Sequence, residues 1–222
     1  MTPAAFKDLC IDAKDGALIA EFYAQLLGLE WQQNGDDARL SGPTPQHTIW
    51  INSVPEPHTA KNRMHLDVNV TSIAQATELG ATVLDALDEW TVLADPEGGE
   101  FCAFVRDQPP EQSLLELVFD TNDAPAQAKW WAGVFGATAH HDEEHDYSWI
   151  DPIAGAPFSA IAFVSVPEPK TVKNRVHLDV TTDDLGALTA GGAAVLRAKG
   201  GDLGWHVLAD PEGNEFCAFT AD

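Results

Sequence analysis

The sequence predicts an α+β fold built by duplication, and three repeated segments carry that prediction. Lys61–Val68 (KNRMHLDV) returns as Lys173–Val180 (KNRVHLDV), 112 residues later. Val92–Phe104 (VLADPEGGEFCAF) returns as Val207–Phe219, 115 residues later, with Gly99 against Asn214 as the sole difference. Ser53–Pro57 (SVPEP) returns as Ser165–Pro169. A period this long exceeds that of a solenoid repeat, so the copied unit is a domain. The 222 residues suit two units of roughly 110 residues each, placed at 1–108 and 112–222. The short, stiff segment Gln108–Gln112 (QPPEQ) links them.

Each unit divides again into two modules of the same order. Leu9–Asp12 reads as a strand. Gly16–Leu27 reads as a helix, with Leu18, Phe22 and Leu26 at helical spacing and Gly28 as its stop. Ala38–Ser41 and Thr48–Asn52 are strand-like, separated by Gly42, Pro43 and Pro45. The order then repeats. Arg63–Val70 is a strand, Ile73–Leu79 a helix ended by Gly80, and Thr82–Leu84, Trp90–Ala94 and Glu100–Val105 are strands. Asp95–Gly98 has proline and glycine where a tight turn wants them. In the second unit Leu114–Asp120 is a strand and Ala124–Phe135 a helix capped by Gly136. The chain therefore contains four βαβββ modules, two per unit.

Composition excludes several function classes. Thirty-five acids against 12 Lys and Arg give a net charge of −23. Nucleic acid and anionic membranes are poor partners for such a chain, because both need clustered basic side chains. The field suits cationic or metal-bearing ligands. Three cysteines, Cys10, Cys102 and Cys217, cannot pair evenly, and two of them are repeat copies. Reduced thiols and a cytoplasmic location are the expectation. No basic segment followed by an apolar run opens the chain, so no signal peptide is expected.

The paired βαβββ modules, the HLDV strands, the helix ending FYAQLLG (Phe22–Gly28) and the ADPEGNEFC hairpin (Ala209–Cys217) resemble the vicinal oxygen chelate (VOC) superfamily. Its members include glyoxalase I, extradiol dioxygenases and the fosfomycin- and bleomycin-resistance proteins. The likeness is greatest to the glyoxalase-like domain branch common in actinobacteria. It implies two tandem VOC domains whose modules curl into cup-shaped mixed sheets, with helices outside and ligand inside. Fold alone does not give the reaction, since function resides in the site.

The resemblance also indicates where to look for chemistry. Superfamily metal ligands fall near the start of a module's first strand and on its last strand. Here the first-strand positions hold Asp8, His65, Glu116 and His177. The last-strand positions of modules two and four hold Cys102 and Cys217, where a metal user has Glu. The expectation is accordingly no cofactor. A divalent Zn, Fe, Ni or Mn ion on Glu116, His177 and Cys217, or on Asp8, His65 and Cys102, is the alternative. Strand parity puts His65 with Asp67, and Glu100 with Cys102 and Phe104, on one face, which the analogy turns inward. His177, Asp179, Glu215, Cys217 and Phe219 repeat that set. His65 and His177, with Glu100 and Glu215, form a general acid–base group. Trp90, Trp205, Trp50, Asp67, Asp179, Phe104 and Phe219 are the expected ligand contacts, since aromatics bind flat or cationic molecules. His140–Asp146 (HHDEEHD), present only in the second unit, reads as a solvated loop.

Two functions follow. One is a metal-independent small-molecule binder similar to bleomycin-resistance proteins. The other is a metal-dependent lyase, isomerase or dioxygenase of the glyoxalase I type using His65 or His177. The expected partners are small molecules, and the chain is expected to be a monomer or a homodimer.

Overall fold

The computed structural model describes residues 2–108 and 110–221. Pro109 of the expected linker lies outside the described residues. Module one contains β1 (Ala5–Ala13), α1 (Gly16–Leu27), β2 (Glu30–Asn34), β3 (Asp37–Ser41) and β4 (Ile49–Ser53). Module two contains β5 (Met64–Val70), α2 (Ile73–Glu78), β6 (Thr82–Ala86), β7 (Thr91–Ala94) and β8 (Glu100–Val105). Module three contains β9 (Leu114–Thr121), α3 (Ala124–Phe135), β10 (Thr138–Asp142), β11 (Tyr147–Asp151) and β12 (Ala160–Ser165). Module four contains β13 (Val176–Thr182), α4 (Leu185–Ala190), β14 (Ala194–Arg197), β15 (His206–Ala209) and β16 (Glu215–Thr220). The four βαβββ modules and two mixed eight-stranded sheets are those of two VOC units.

The helices start and stop where their local chemistry directs. The Asp15 carboxylate accepts from Leu18 N and caps α1, and Asp123 does the same for α3 through Ala126 N. Gly28 (φ 69°) and Gly136 (φ 66°) end these helices in the left-handed conformation.

The sheets do not follow the halves of the chain. One runs β14-β15-β16-β13-β1-β4-β3-β2 and joins module four to module one. The other runs β10-β11-β12-β9-β5-β8-β7-β6 and joins module three to module two. The antiparallel pairs β1–β13 and β5–β9 sit at the centre of each. This corrects the expectation of a separate cup within each half: both cups are made across the halves, here called cup 1/4 and cup 2/3.

What joins the two modules within a half is core packing and the DPEG turn. In the first half Phe22 and Tyr23 of α1 pack edge-on against Phe101 of β8, with ring centroids 5.7 and 6.3 Å apart. In the second, Trp130 and Trp131 of α3 meet Phe216 of β16 at 6.1 and 5.2 Å. Asp95 holds its own turn by accepting from Glu97 N and Gly99 N, and it accepts from the Tyr23 hydroxyl at 3.2 Å. Its copy Asp210 accepts instead from Gln127 Nε2 and Trp131 Nε1. Glu97 reaches back to Lys14 N and Asp15 N ahead of α1, and Glu212 to Asn122 N and Asp123 N ahead of α3. The single change inside the repeat has a local cause. A Cβ on Gly99 would stand 2.6 Å from Asp95 Oδ2, whereas in module four the Asn214 amide fills that space and donates to Asp210 Oδ2.

The two KNR segments face each other between the cups. Arg63 Nη1 donates to Glu168 O at 2.7 Å and Arg175 Nη1 to Glu56 O at 2.8 Å, a reciprocal clamp from each half onto the VPEP segment of the other. They line a groove of about 510 Å³. One hydrophobic core runs through both sheets and the helices.

Two outcomes are expected. Residues 112–222 expressed alone lose β1 and β5, the partners of β13 and β9, and should give no folded monomer by circular dichroism and size exclusion. A monomeric cooperative melt would show that one half is self-sufficient. Phe101→Ala, at a fully buried position between α1 and β8, should lower stability by about 3–5 kcal/mol in a denaturant titration.

Candidate functional site

Alternation along the central strands separates apolar from chemical residues. Leu9, Ile11, Leu178 and Val180 turn to the core, while Asp8, Cys10, His177 and Asp179 turn into cup 1/4. In cup 2/3 Leu66, Val68 and Leu117 turn to the core, and His65, Asp67, Glu116 and Val118 inward. The central antiparallel pairing sets acids opposite each other: Asp8 faces Asp179, and Glu116 faces Asp67. The parallel neighbours Cys217 and Cys102 lie beside Asp179 and Asp67.

The sequence-selected groups therefore assemble, in different combinations from those expected. Glu116 is not with His177 and Cys217; it lies in the other cup, beside Asp67. Asp8 likewise is not with His65 and Cys102 but with His177 and Asp179. The reason is the cross-half pairing of the first strands. Cys10 joins the group too, with Sγ 3.7 Å from Asp179 Oδ2. Parity along β1 could have singled it out, because it lies two residues from Asp8.

In cup 1/4 His177 Nε2 lies 3.6 Å from Cys217 Sγ and 3.5 Å from Asp179 Oδ1. Cup 2/3 repeats this, with His65 Nε2 3.7 Å from Cys102 Sγ and 3.4 Å from Asp67 Oδ1. Burial dominates the protonation of these groups. Burial, then the Asp8 charge, raises the Asp179 carboxyl to about 8. Burial, then the Asp67 charge, raises Glu116 to about 7. Burial lowers His177 to about 4. Burial therefore opposes charge on both partners of the His177–Asp179 contact. Burial and the adjacent carboxylates also push the thiols of Cys10, Cys102 and Cys217 well up. They are poor nucleophiles.

Glu100 and Glu215 hold the ends of the KNR segments. Glu100 Oε2 accepts from Asn62 N at 3.0 Å, and Glu215 Oε2 from Asn174 N at 3.1 Å. His58 approaches Glu100 at 3.5 Å and Lys170 approaches Glu215 at 3.0 Å. Both carboxylates are thus occupied by backbone and neighbouring side chains. Trp90 stacks on Phe104 (centroids 6.0 Å, 29°) and Trp205 on Phe219 (5.4 Å, 28°). Trp50 lies in line with Cys10 and His177 across the sheet.

The segment His140–Asp146 is only partly a loop. His140 lies on β10, 3.2 Å from Asp151 and stacked on Trp149 with centroids 4.9 Å apart. Tyr147 stacks on the same indole at 5.3 Å, and Trp149 Nε1 donates to Asp151. These residues form an outer wall of cup 2/3. The loop reading of His140–Asp146 hid the place of His140 on β10, while the alternation of Tyr147, Trp149 and Asp151 marks a strand face.

Three possible metal donors converge in each cup. Cys10, His177 and Asp179 in one, and His65, Asp67 and Cys102 in the other, bring their donor atoms within 4.8 Å of one another. Imidazole, carboxylate and thiolate suit zinc. Asp8 Oδ1, Asp67 Oδ1 and Asp179 Oδ1 are buried without a hydrogen-bond partner among the described residues, and a cation would satisfy them. His177 Nδ1 is also unpartnered there, whereas a metal-bound imidazole usually donates that N–H to a carboxylate or carbonyl. The donors fit a divalent ion; the support behind the imidazole of cup 1/4 is missing.

The comparisons agree with this architecture. The family model described as a glyoxalase-like domain matches residues 8–104 and 116–219, and the chain belongs to that family, as a tandem member of the VOC superfamily. Glyoxalase I from Zea mays is similar over 97% of this chain and 92% of its own, with a TM-score of 0.70 and 13% identity. A putative dioxygenase from Bacillus subtilis is similar over 99% of this chain and 85% of its own, at 0.66 and 12%. The cppA protein from Streptococcus pneumoniae is similar over 99% of both chains, at 0.52 and 11%. Identities this low show the fold. No curated protein matches the chain.

The buried acid of cup 1/4 should be visible in a pH series. In the unfolded chain Asp179 loses its proton near pH 4, while in the folded chain it keeps it to about 8. Between those values the folded state binds more protons, so this group's contribution to stability falls as pH rises. His177 acts oppositely, but only from about 4 to its ordinary value near 6.5. Above that Asp179 and Glu116 act in the same direction, Glu116 to about 7, and comparison with a variant at the one position isolates the Asp179 contribution. Asp179→Asn, a neutral mimic, should therefore gain melting temperature relative to the parent on going from pH 6 to pH 9. A difference that stays constant with pH would mean that Asp179 is ionised in the fold.

Proposed function

We propose that this protein binds small organic molecules in its cups without a metal, in the manner of the bleomycin-resistance proteins it resembles, and that cup 2/3 takes a flat, cationic ligand. The observation that carries this reading is the composition of that cup. An aromatic wall of Trp149, Tyr147 and His140 on one side, and the stacked pair Trp90–Phe104 on the other, share the inward face with the buried Asp67 and the half-buried Glu116. Small residues, Ala160, Ala162 and Val118, lie between the wall and the acids. Indole faces attract cations, and a buried carboxylate gives the charge a partner. Metal-free chemistry suits the protonated thiols and the unsupported imidazole of cup 1/4.

The convergence of three donors in each cup favours a second reading. A divalent ion held by His65, Asp67 and Cys102, or by His177, Asp179 and Cys10, would supply Lewis acidity to a ligand oxygen, as a lyase, isomerase or dioxygenase requires. The acid–base groups beside it, Glu116 or Asp8, would then move the proton.

Tryptophan fluorescence with benzyltrimethylammonium tests the first reading. Saturable binding is expected, weakened about tenfold by Trp149→Ala and further by Asp67→Asn. Binding unaffected by both changes would remove cup 2/3 as the site. Elemental mass spectrometry of untagged protein decides between the readings. Near-stoichiometric zinc, iron, nickel or manganese, lost in the His65→Ala/His177→Ala double variant, would establish the metal-dependent reading instead.

A further inference from the structure

The two cups share a plan but not a charge. Register fixes which positions correspond. Asp8 and Glu116 occupy the same place opposite Asp179 and Asp67, so Cys10 corresponds to Val118 and Lys7 to Leu115. Moving outward along the same cross-strand row, Trp50 corresponds to Ala162 and Arg39 to Trp149. The VPEP repeat aligns Lys170 with His58. At three matched positions, then, cup 1/4 has Lys7, Arg39 and Lys170 where cup 2/3 has Leu115, Trp149 and His58.

These cations change the balance inside the cup. Lys7 pairs with Asp8 at 2.5 Å, Lys170 with Glu215 at 3.0 Å, and Lys173 with Asp12. Arg39 is left over. Among the described residues its one hydrogen bond goes to the Thr48 hydroxyl, at 3.3 Å, and Nε is buried with no partner. Its guanidinium lies over the Trp50 ring, 5.6 Å from the centroid. Lys7 in turn lies over Phe219, 4.2 Å from its centroid, and Phe219 stacks on Trp205. In cup 2/3 the corresponding acids are Asp120, Glu100 and Glu116; Lys61 pairs with Asp120 at 2.6 Å, and the Arg106 guanidinium is taken by Asn69 Oδ1 at 2.6 Å while lying over Phe104. In a chain of net charge −23, an arginine stacked on an indole inside a cup, with no carboxylate of its own, is a ready partner for an anion. A planar guanidinium pairs best with a carboxylate in a two-pronged geometry, and the indole beneath it offers a face to an adjoining ring.

We propose that cup 1/4 binds a planar aromatic carboxylate, with Arg39 gripping the carboxylate and Trp50 flanking the ring, so that the two cups take ligands of opposite charge. This rests on the small-molecule-binding reading above and adds a second ligand class to it. Arg39 and Trp50 are the specificity-determining residues, and cup 2/3 lacks both.

The test uses the full chain labelled with ¹⁵N and follows the indole N–H resonances. Trp50 and Trp149 are identified from Trp50→Phe and Trp149→Phe, and benzoate, its neutral isostere benzyl alcohol and benzyltrimethylammonium serve as probes. Benzoate is expected to shift the Trp50 resonance and not that of Trp149, and to bind at least tenfold more tightly than benzyl alcohol. Arg39→Gln should weaken benzoate at least tenfold while leaving benzyltrimethylammonium unchanged. Arg39→Lys, which retains the charge but not the fork, should lie between. Benzoate binding that is equal to that of benzyl alcohol, unmoved by Arg39→Gln, or reported by Trp149 would overturn the proposal. So would an absence of benzoate binding while benzyltrimethylammonium occupies cup 2/3, an outcome that leaves the small-molecule reading intact. Failure of both probes would overturn both.

Discussion

The structure depends on one constraint: the first strand of every module pairs with a first strand from the other half of the chain. β1 takes β13 and β5 takes β9. That antiparallel pairing closes each sheet, and it puts two carboxyl side chains opposite each other at the floor of each cup. The helix and turn contacts tie the modules the other way, within each half, through Tyr23 and Asp95 or Trp131 and Asp210. Sheet hydrogen bonds and core packing thus run in crossed directions, the first between the halves and the second within them. The reciprocal donation of Arg63 and Arg175 to the opposite VPEP carbonyls is the polar counterpart of the same crossing.

Opposed buried carboxyls shape the chemistry. Like charges so close, in a setting of low effective dielectric, cannot both ionise cheaply. A site of this kind reaches neutrality by holding protons, by taking a metal, or by taking a cationic ligand. Protons account for the raised carboxyls and thiols, while lysines neutralise the acids nearer the rims. The three routes compete for the same oxygens. A cup that binds a cation should therefore release protons when it does so, and a cup whose rim supplies a spare guanidinium is released from needing a cation at all.

Much of this was legible in the sequence, for definite reasons. The duplication exposed four modules, the periodicity of Gly16–Leu27 and Ala124–Phe135 gave both long helices, and parity placed His65 with Asp67 and His177 with Asp179 on inward faces. Pairing across the halves was not legible, because two nearly identical first strands offer the same apolar face and the same HLDV pattern to either partner. Local pattern fixes which face a strand buries, not which strand it meets. That ambiguity is what misplaced Glu116 beside His177. The place of His140 on the cup wall escaped for a different reason: a run of His, Asp and Glu has loop composition, yet its first three residues complete an edge strand.

The unequal divergence of the modules has a physical source. In modules two and four the repeated residues are tied to backbone. Asp95 and Asp210 hold turn N–H groups, Glu97 and Glu212 hold the segments ahead of α1 and α3, and Glu100 and Glu215 hold Asn62 and Asn174. A substitution at Asp95 or Asp210 leaves a buried N–H unsatisfied, at about 1–3 kcal/mol, and one at Glu97, Glu212, Glu100 or Glu215 frees backbone groups ahead of a helix or strand, so both copies are held to the same residues. The concave positions of modules one and three carry no such duty. Arg39, Trp50, Trp149 and Ala162 project from strands whose core faces, through Ala38, Ile51, Ile150 and Ile161, already secure the sheet. Their inward faces were free to differ, so the differences between the cups concentrate where a ligand would meet them and not where the fold is held.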